Sequence, residues 1–431
     1  MSPYSNVKKR KVEVHFSGES VTSDAGLLLL KEVDKELGLT SNIAKKCMTD
    51  PRDQRFVKHS LETMLKQRVY GLSMGYEDLN DHENLRHDPC WQAAAGEVEA
   101  LSGDSTLCRF EHFADRKTAV AIHKELVEQF IRSFKIPPKE LILDFDATDD
   151  TVHGNQIGKF FHGYYRSYCF LPLYVTCGKK LLVSYLRPSS KDPALHAGAI
   201  LKLLATRLRA EWPDVSIVFR ADGGFCRPRI LSWCERNDVK YVVGLGGNAR
   251  NKALVEDLRK NLELEYQTSG EKQKEFTRIR YGAKSWGCER DVVVKVEVGP
   301  KGSNVRFVVT NIKEEADHIY TKIYSLRGDM ENRIKEMQLG LFSDRTSAHE
   351  WHPNQFRLLL SALAYTLMNA VREKLLQGTE LAKAQVNTIR LKLLKIGATI
   401  IRNTRRIKFI LPKSHPYQDL FNLAASRLSC T

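Results

Sequence analysis

The sequence predicts an α/β fold: a mixed sheet interrupted by an inserted antiparallel β segment and preceded by a mainly helical region. Three observations carry this. Residues 1–138 have helical periodicity and helix-capping residues; from Leu141 the chain changes to short apolar runs separated by turns; and helical periodicity returns at about Tyr324 after a stretch of alternating strands.

In the first region, SDAGLLLLKEVDKEL (23–37) is closed by Gly38, which tolerates the left-handed dihedrals of a helix C-terminus. Further helices are expected from 60 to 70 and from 105 into the 120s. The pair Pro137-Pro138 stops the last of them, since proline has no N–H to donate and disfavours helix in the residue before it. That sets a boundary for a helical region of 1–138. The runs LILDFDAT (141–148), SYCFLPLYVTC (167–177) and KLLVSYLR (180–187), an amphipathic stretch over 192–212, then SIVFRAD (216–222) and KYVVGLG (240–246) make 139–246 the first part of an α/β body. In 247–320, RDVVVKVEV (290–298) and VRFVVTN (305–311) alternate as antiparallel strands of an inserted β domain. Residues 321–380 return to helix, with a long apolar one from about 354 to 376, and 381–431 form a basic tail with RRIKFILP (405–412) and a short final helix.

With 67 Lys+Arg against 52 Asp+Glu the formal charge is +15, an excess that most often serves a polyanion. The most apolar stretch, 358–371, is interrupted by Ser361, Thr366 and Asn369 and is shorter than a bilayer span. The N-terminal residues contain no apolar signal core, so a cytoplasmic, nucleoid-associated protein with no membrane partner is expected. Nine scattered cysteines without a CxxC pair argue against a disulfide framework and a structural zinc site.

Chemistry first shows in LILDFDATDD, where Asp144 and Asp146 share one face of a strand whose other face carries Leu143 and Phe145. Two carboxylates in apolar surroundings need a metal, a cation or a strong hydrogen-bond network. SIVFRAD places Asp222 at the carboxyl end of a second strand, where open α/β sheets build their sites. In YSLRGDMENRIKE, Tyr324, Arg327 and Glu331 fall at i, i+3 and i+7 on one helical face. Strand-Asp, strand-Asp and helix-Glu in this order would converge on one edge of a ribonuclease-H-like sheet. Three hard oxygen ligands with no His or Cys suit Mg²⁺ or Mn²⁺, and two such ions can serve an in-line phosphoryl displacement on DNA or RNA.

Several long blocks then carry a resemblance: residues 16–34, 50–89, STLCRFEH (105–112), LDFDATDDTVHGNQ (143–156), HGYYRSYCFLPLYV (162–175), RADGGFCR (220–227) and YSLRGDMENRIKE (324–336). In these the chain resembles the DDE transposases of bacterial insertion sequences, in the subgroup called transposase DDE group 1. The resemblance implies a ribonuclease-H-like catalytic domain with a β insertion between the second Asp and the Glu, which agrees with the gap of 331 − 222 = 109 residues. It implies a metal-binding catalytic triad of Asp146, Asp222 and Glu331. Asp146 is taken over Asp144 because the family's first acid is commonly followed two residues later by Thr, here Thr148. Tyr324 and Arg327 would contact DNA phosphates. The family's usual lysine is absent, Gln338 standing in its place, and Lys335 on the same face is its candidate substitute. Similar transposases stack a base on an insertion-domain tryptophan, a role open here to Trp286 beside plain sheet packing. GLGGN (244–248) lacks a following Lys-Ser/Thr and reads as a turn.

The resemblance thus implies a two-metal enzyme that binds the terminal inverted repeats of its own element, cleaves DNA and joins the freed end to target DNA within a synaptic homodimer. The helical N-terminal region would recognise the ends. The alternatives are an inactive DNA-binding derivative and a structure-specific nuclease.

Overall fold

The computed structural model describes residues 20–428 together with residues 5, 7, 8, 10, 12–14 and 18; Lys9 and Lys11 of the basic N-terminal run, and Cys430, lie outside the described residues. The remaining eight cysteines are free thiols.

Helix α1 (Leu27–Leu37) ends as expected on Gly38, left-handed at φ 61°, whose N–H reaches the carbonyls of Asp34 and Lys35. Helix α2 (Leu61–Met74) is capped by Ser60. The helix expected from residue 105 is two, Asp104–Glu111 and α3 (Arg116–Arg132), because the Asp115 carboxylate caps the second by accepting the Thr118 N–H at 2.8 Å.

Eight strands form the central sheet: β1 (Glu140–Ala147), β2 (Leu173–Cys177), β3 (Lys180–Tyr185), β4 (Ser216–Ala221), β5 (Lys240–Leu245), β6 (Gln273–Tyr281), β7 (Arg290–Gly299) and β8 (Gly302–Thr310). Their order is β6-β7-β8-β5-β4-β1-β2-β3. The pairs β1–β4 and β4–β5 are parallel and the rest antiparallel. Between β3 and β6 run α4 (Ala197–Glu211), α5 (Pro228–Arg236) and α6 (Glu256–Ser269). They cover one sheet face with Leu143, Phe145, Phe219, Val243, Val292 and their neighbours. The opposite face carries Val218, Val242, Val293 and Val308 against a helical run that begins at Ala316 and continues through π and 3-10 turns into α7 (Gly328–Leu341).

Two domain expectations change. The strands of 247–320 are antiparallel as expected, but they continue the central sheet instead of forming a body of their own: Phe307–Thr310 pair with Val242–Leu245 along the open edge of β5. Their near-continuous valines need cover on both faces, which the shared sheet supplies. The helical region of 1–138 likewise shares its core with residues 330–400. Helix α8 (Trp351–Leu375) is buried on almost every side, and an all-round apolar helix must be wrapped by others. It packs on α1, α2, α3 and β3. Among the described residues no helix is long and apolar enough to cross a membrane.

Candidate active site at the carboxyl edge of the sheet

Asp144 and Asp146 lie on the sheet face that receives the 316–341 helical run. They meet different fates. Asp144, 1% exposed, stands opposite Arg220 in the parallel β1–β4 register. The guanidinium grips it with two prongs, Nε on Oδ1 and Nη2 on Oδ2, the latter at 2.7 Å. Arg220 also donates to the carbonyl of Ile323 at 2.6 Å, tying the strand to the helical run. Burial pushes the Asp144 carboxyl up while Arg220 pulls against it.

The parallel register ends at the pair Phe145–Ala221; Asp146 and Asp222 are the next residue on each chain, close enough that the Asp222 charge acts on the Asp146 carboxyl. Asp146 is 8% exposed, and its nearest cation is Arg327, at 3.4 Å. Burial pushes its carboxyl up to about 7; Arg327 opposes the rise, and Asp222 and Glu331 add to it. The Asp222 carboxylate accepts the Gly224 N–H at 2.8 Å and starts the short turn 223–225. Glu331 sits on the first turn of α7, half-exposed, and takes Nη2 of Arg327 at 2.8 Å. Arg327 thus bridges Asp146 and Glu331 and is the guanidinium to which Asp146, Glu331 and Asp222 all couple. Burial works against its charge, and these carboxylates outweigh that and hold its pKa above the ordinary value.

Tyr324 lies across the end of β5. A Cβ on Gly244 would stand 2.6 Å from the Tyr324 hydroxyl and 2.8 Å from the Gly223 nitrogen, so only glycine permits this approach. The GLGGN segment read as a turn is strand at Gly244 and Leu245, and residues 246–248 run irregularly into a helical turn capped by Asn248. Tyr324 meets Tyr320 at a tilt of 53°, centroids 5.6 Å apart.

Lys335 is exposed one helical turn beyond Glu331. Gln338 donates to the Asp149 carbonyl at 3.0 Å. Trp286 is not brought to the acids. It lies in the turn between β6 and β7, packed against the core of the opposite sheet face, edge-on to Tyr281 at 5.7 Å and under Arg290 at 5.2 Å. Arg290 is itself paired with Glu235 of α5. Sequence reasoning missed Arg220, the partner of Asp144; its signal was a lone charge inside the apolar strand SIVFRAD.

Asp146, Asp222 and Glu331 are hard oxygen donors with a shortage of positive charge among them, the chemistry that suits Mg²⁺ or Mn²⁺. Among the described residues, no three His, Cys, Asp or Glu side chains are gathered closely enough to hold an ion as they stand. The Arg327 guanidinium fills the gap between Asp146 and Glu331.

A family model described as transposase DDE domain group 1 matches residues 4–431. No curated protein matches the chain. Among solved structures the chain is similar to a cryo-EM structure of the piggyBac transposase synaptic complex with hairpin DNA, at 11% identity and a TM-score of 0.43, over 88% of this chain and 83% of that one.

Proposed function

We propose a reaction from the premise that this chain belongs to the transposase DDE group 1 family: it binds the terminal inverted repeats of a mobile element, cuts DNA there and joins the freed 3′ end to target DNA. The observation that carries this reading is that Asp146 and Asp222 follow the last β1–β4 pair at the carboxyl edge, their charges coupled, with Glu331 tied to Asp146 through Arg327. The strand order β3-β2-β1-β4-β5, with β1, β4 and β5 parallel, supports a ribonuclease-H-like core for it.

Asp146, Asp222 and Glu331 would hold two divalent cations, Mg²⁺ or Mn²⁺, which supply Lewis acidity at the attacking and leaving oxygens of a phosphodiester. The protein's own part is positioning and charge. Asp222 is fixed by the Gly224 N–H and Asp146 by its strand, so two of the three donors are set before DNA arrives. Glu331 is on a helical first turn and half-exposed, the donor with freedom to close. Arg327 neutralises the acids in the present arrangement; released from them, its planar fork suits the scissile phosphate. Tyr324, half-buried over Gly244 three residues before Arg327, limits where that fork can go. The excess charge of +15 favours DNA generally, and the helical N-terminal region is assigned to the element's ends within a synaptic homodimer.

The test is a Mg²⁺-dependent assay on labelled DNA carrying the inverted repeat that flanks this gene, scoring cleavage and joining separately for wild type and Asp146→Asn. Cleavage with joining, lost in the variant, is expected. Specific binding without cleavage would favour an inactive DNA binder, and cleavage of any branched DNA without joining would favour a nuclease.

A further inference from the structure

The hairpin formed by Phe160–His162 and Ser167–Phe170 begins 160 − 146 = 14 residues after Asp146. Its base is rigid. Ile157 N–H donates to the His349 carbonyl at 2.9 Å, Gln156 to the Thr346 carbonyl at 3.1 Å, and Phe170 meets Trp351 edge-on at 5.4 Å. Gly158, at φ 90°, lies so close to the Trp351 ring that a Cβ would stand 2.7 Å from it. The tip, by contrast, displays large rings to solvent: Tyr164 is 84% exposed, Phe161 58% and Tyr168 54%.

Exposed rings in such number mark a surface meant to be covered. Phe161 and Tyr168 face each other across the hairpin at 5.6 Å, with the Lys159 ammonium 5.3 Å over the Tyr168 ring. Arg166 is exposed at the turn. No Asp or Glu occurs from residue 152 to residue 191, so the rings are interleaved with cations and the surface suits a polyanion that has flat apolar faces of its own. Nucleic acid with unpaired bases has that chemistry; a paired duplex hides its base faces. The segment between Asp146 and the hairpin links the two: the Asp149 carbonyl accepts from Gln338 of α7, the helix that bears Glu331, and Asp150 and Thr151 pair with Phe170 and Cys169 of the hairpin.

We propose that the 159–168 hairpin is a stacking platform for the unpaired nucleotides of the DNA strand that enters the acid cluster, with Phe161, Tyr164 and Tyr168 on the bases and Lys159 and Arg166 on the phosphates. This rests on the DNA-cutting reading above and assigns to these rings a role that Trp286, packed into the opposite sheet face, does not fill.

The test uses metal-free protein, so that it is independent of cleavage, and two probes: a blunt duplex and the same duplex with a four-nucleotide single-stranded extension carrying 2-aminopurine. Tyr164→Ala and Tyr168→Ala should each weaken binding of the extended probe about tenfold and relieve quenching of its 2-aminopurine, while blunt-duplex binding stays unchanged and Phe in either place restores stacking. Equal losses on both probes, or no loss on either, would overturn the proposal. So would unchanged affinity with a dimer shifted to monomer in sedimentation, which would give the rings to a second copy of the chain. Asp146→Asn in the cleavage assay separates the two readings: retained cleavage sinks the acid-cluster assignment, and the platform is still judged on the extension affinity alone.

Discussion

Two carboxylates stand two residues apart on one face of β1, and the protein treats them in opposite ways. Asp144 is sealed in a buried two-pronged pair with Arg220, which the helical run closes from above. Asp146 shares one bridging guanidinium with Glu331 and stands against Asp222, and its carboxyl is pushed up to about 7. The lesson is that burial alone does not identify a reactive acid. A buried charge gripped by its own partner is committed to that partner, while a cluster left short of positive charge has room for a cation or a substrate.

The largest expected effect breaks the second region. Asp146→Asn or Asp222→Asn should lower Mg²⁺-dependent cleavage about a thousandfold or more, with binding of the element's ends largely kept, as measured by single-turnover cleavage beside gel-shift affinity. Next comes the first region. Asp144→Asn leaves Arg220 buried without its partner and should cost about 3 to 5 kcal/mol in urea denaturation; replacing both, Asp144→Leu with Arg220→Met, should recover most of that.

The acid cluster also sets a response to pH. With its carboxyl held up to about 7 against an ordinary value near 4, Asp146 binds a proton in the folded chain that the unfolded chain has released. Stability of metal-free protein should therefore fall as pH rises from about 4 to about 7, by on the order of 3 kcal/mol, and Asp146→Asn should flatten that slope. Smaller still, Gly244→Ala should cost about 1 to 3 kcal/mol by driving a methyl into the Tyr324 hydroxyl and the Gly223 nitrogen, read as a lowered urea midpoint. Trp286→Ala should cost about 1 kcal/mol of stability through lost ring contacts and leave DNA affinity unchanged.

Much of this was legible in the sequence where local rules decide. The Gly38 terminus, the apolar strands and the ends of β1 and β4 follow from capping, alternation and turn chemistry. The i, i+3, i+7 spacing of Tyr324, Arg327 and Glu331 survives although the backbone there passes through π and 3-10 turns before α7. What periodicity does not encode is pairing across long separations. Nothing local tells that Phe307–Thr310 join β5, that α8 is wrapped by helices from the first 138 residues, or that Arg220 falls opposite Asp144. Trp286 was ambiguous for the same reason, since its neighbours come from β6 and from the Arg290–Glu235 pair.

The most direct test of the contrast is a side-by-side urea denaturation of wild type, Asp144→Asn and Asp146→Asn at pH 8 without metal. Shifts of opposite sign are expected: a lower midpoint for Asp144→Asn, which leaves the buried Arg220 without its two-pronged partner, and a higher one for Asp146→Asn, which removes a poorly matched buried charge. Midpoints that fall together in both variants would contradict it.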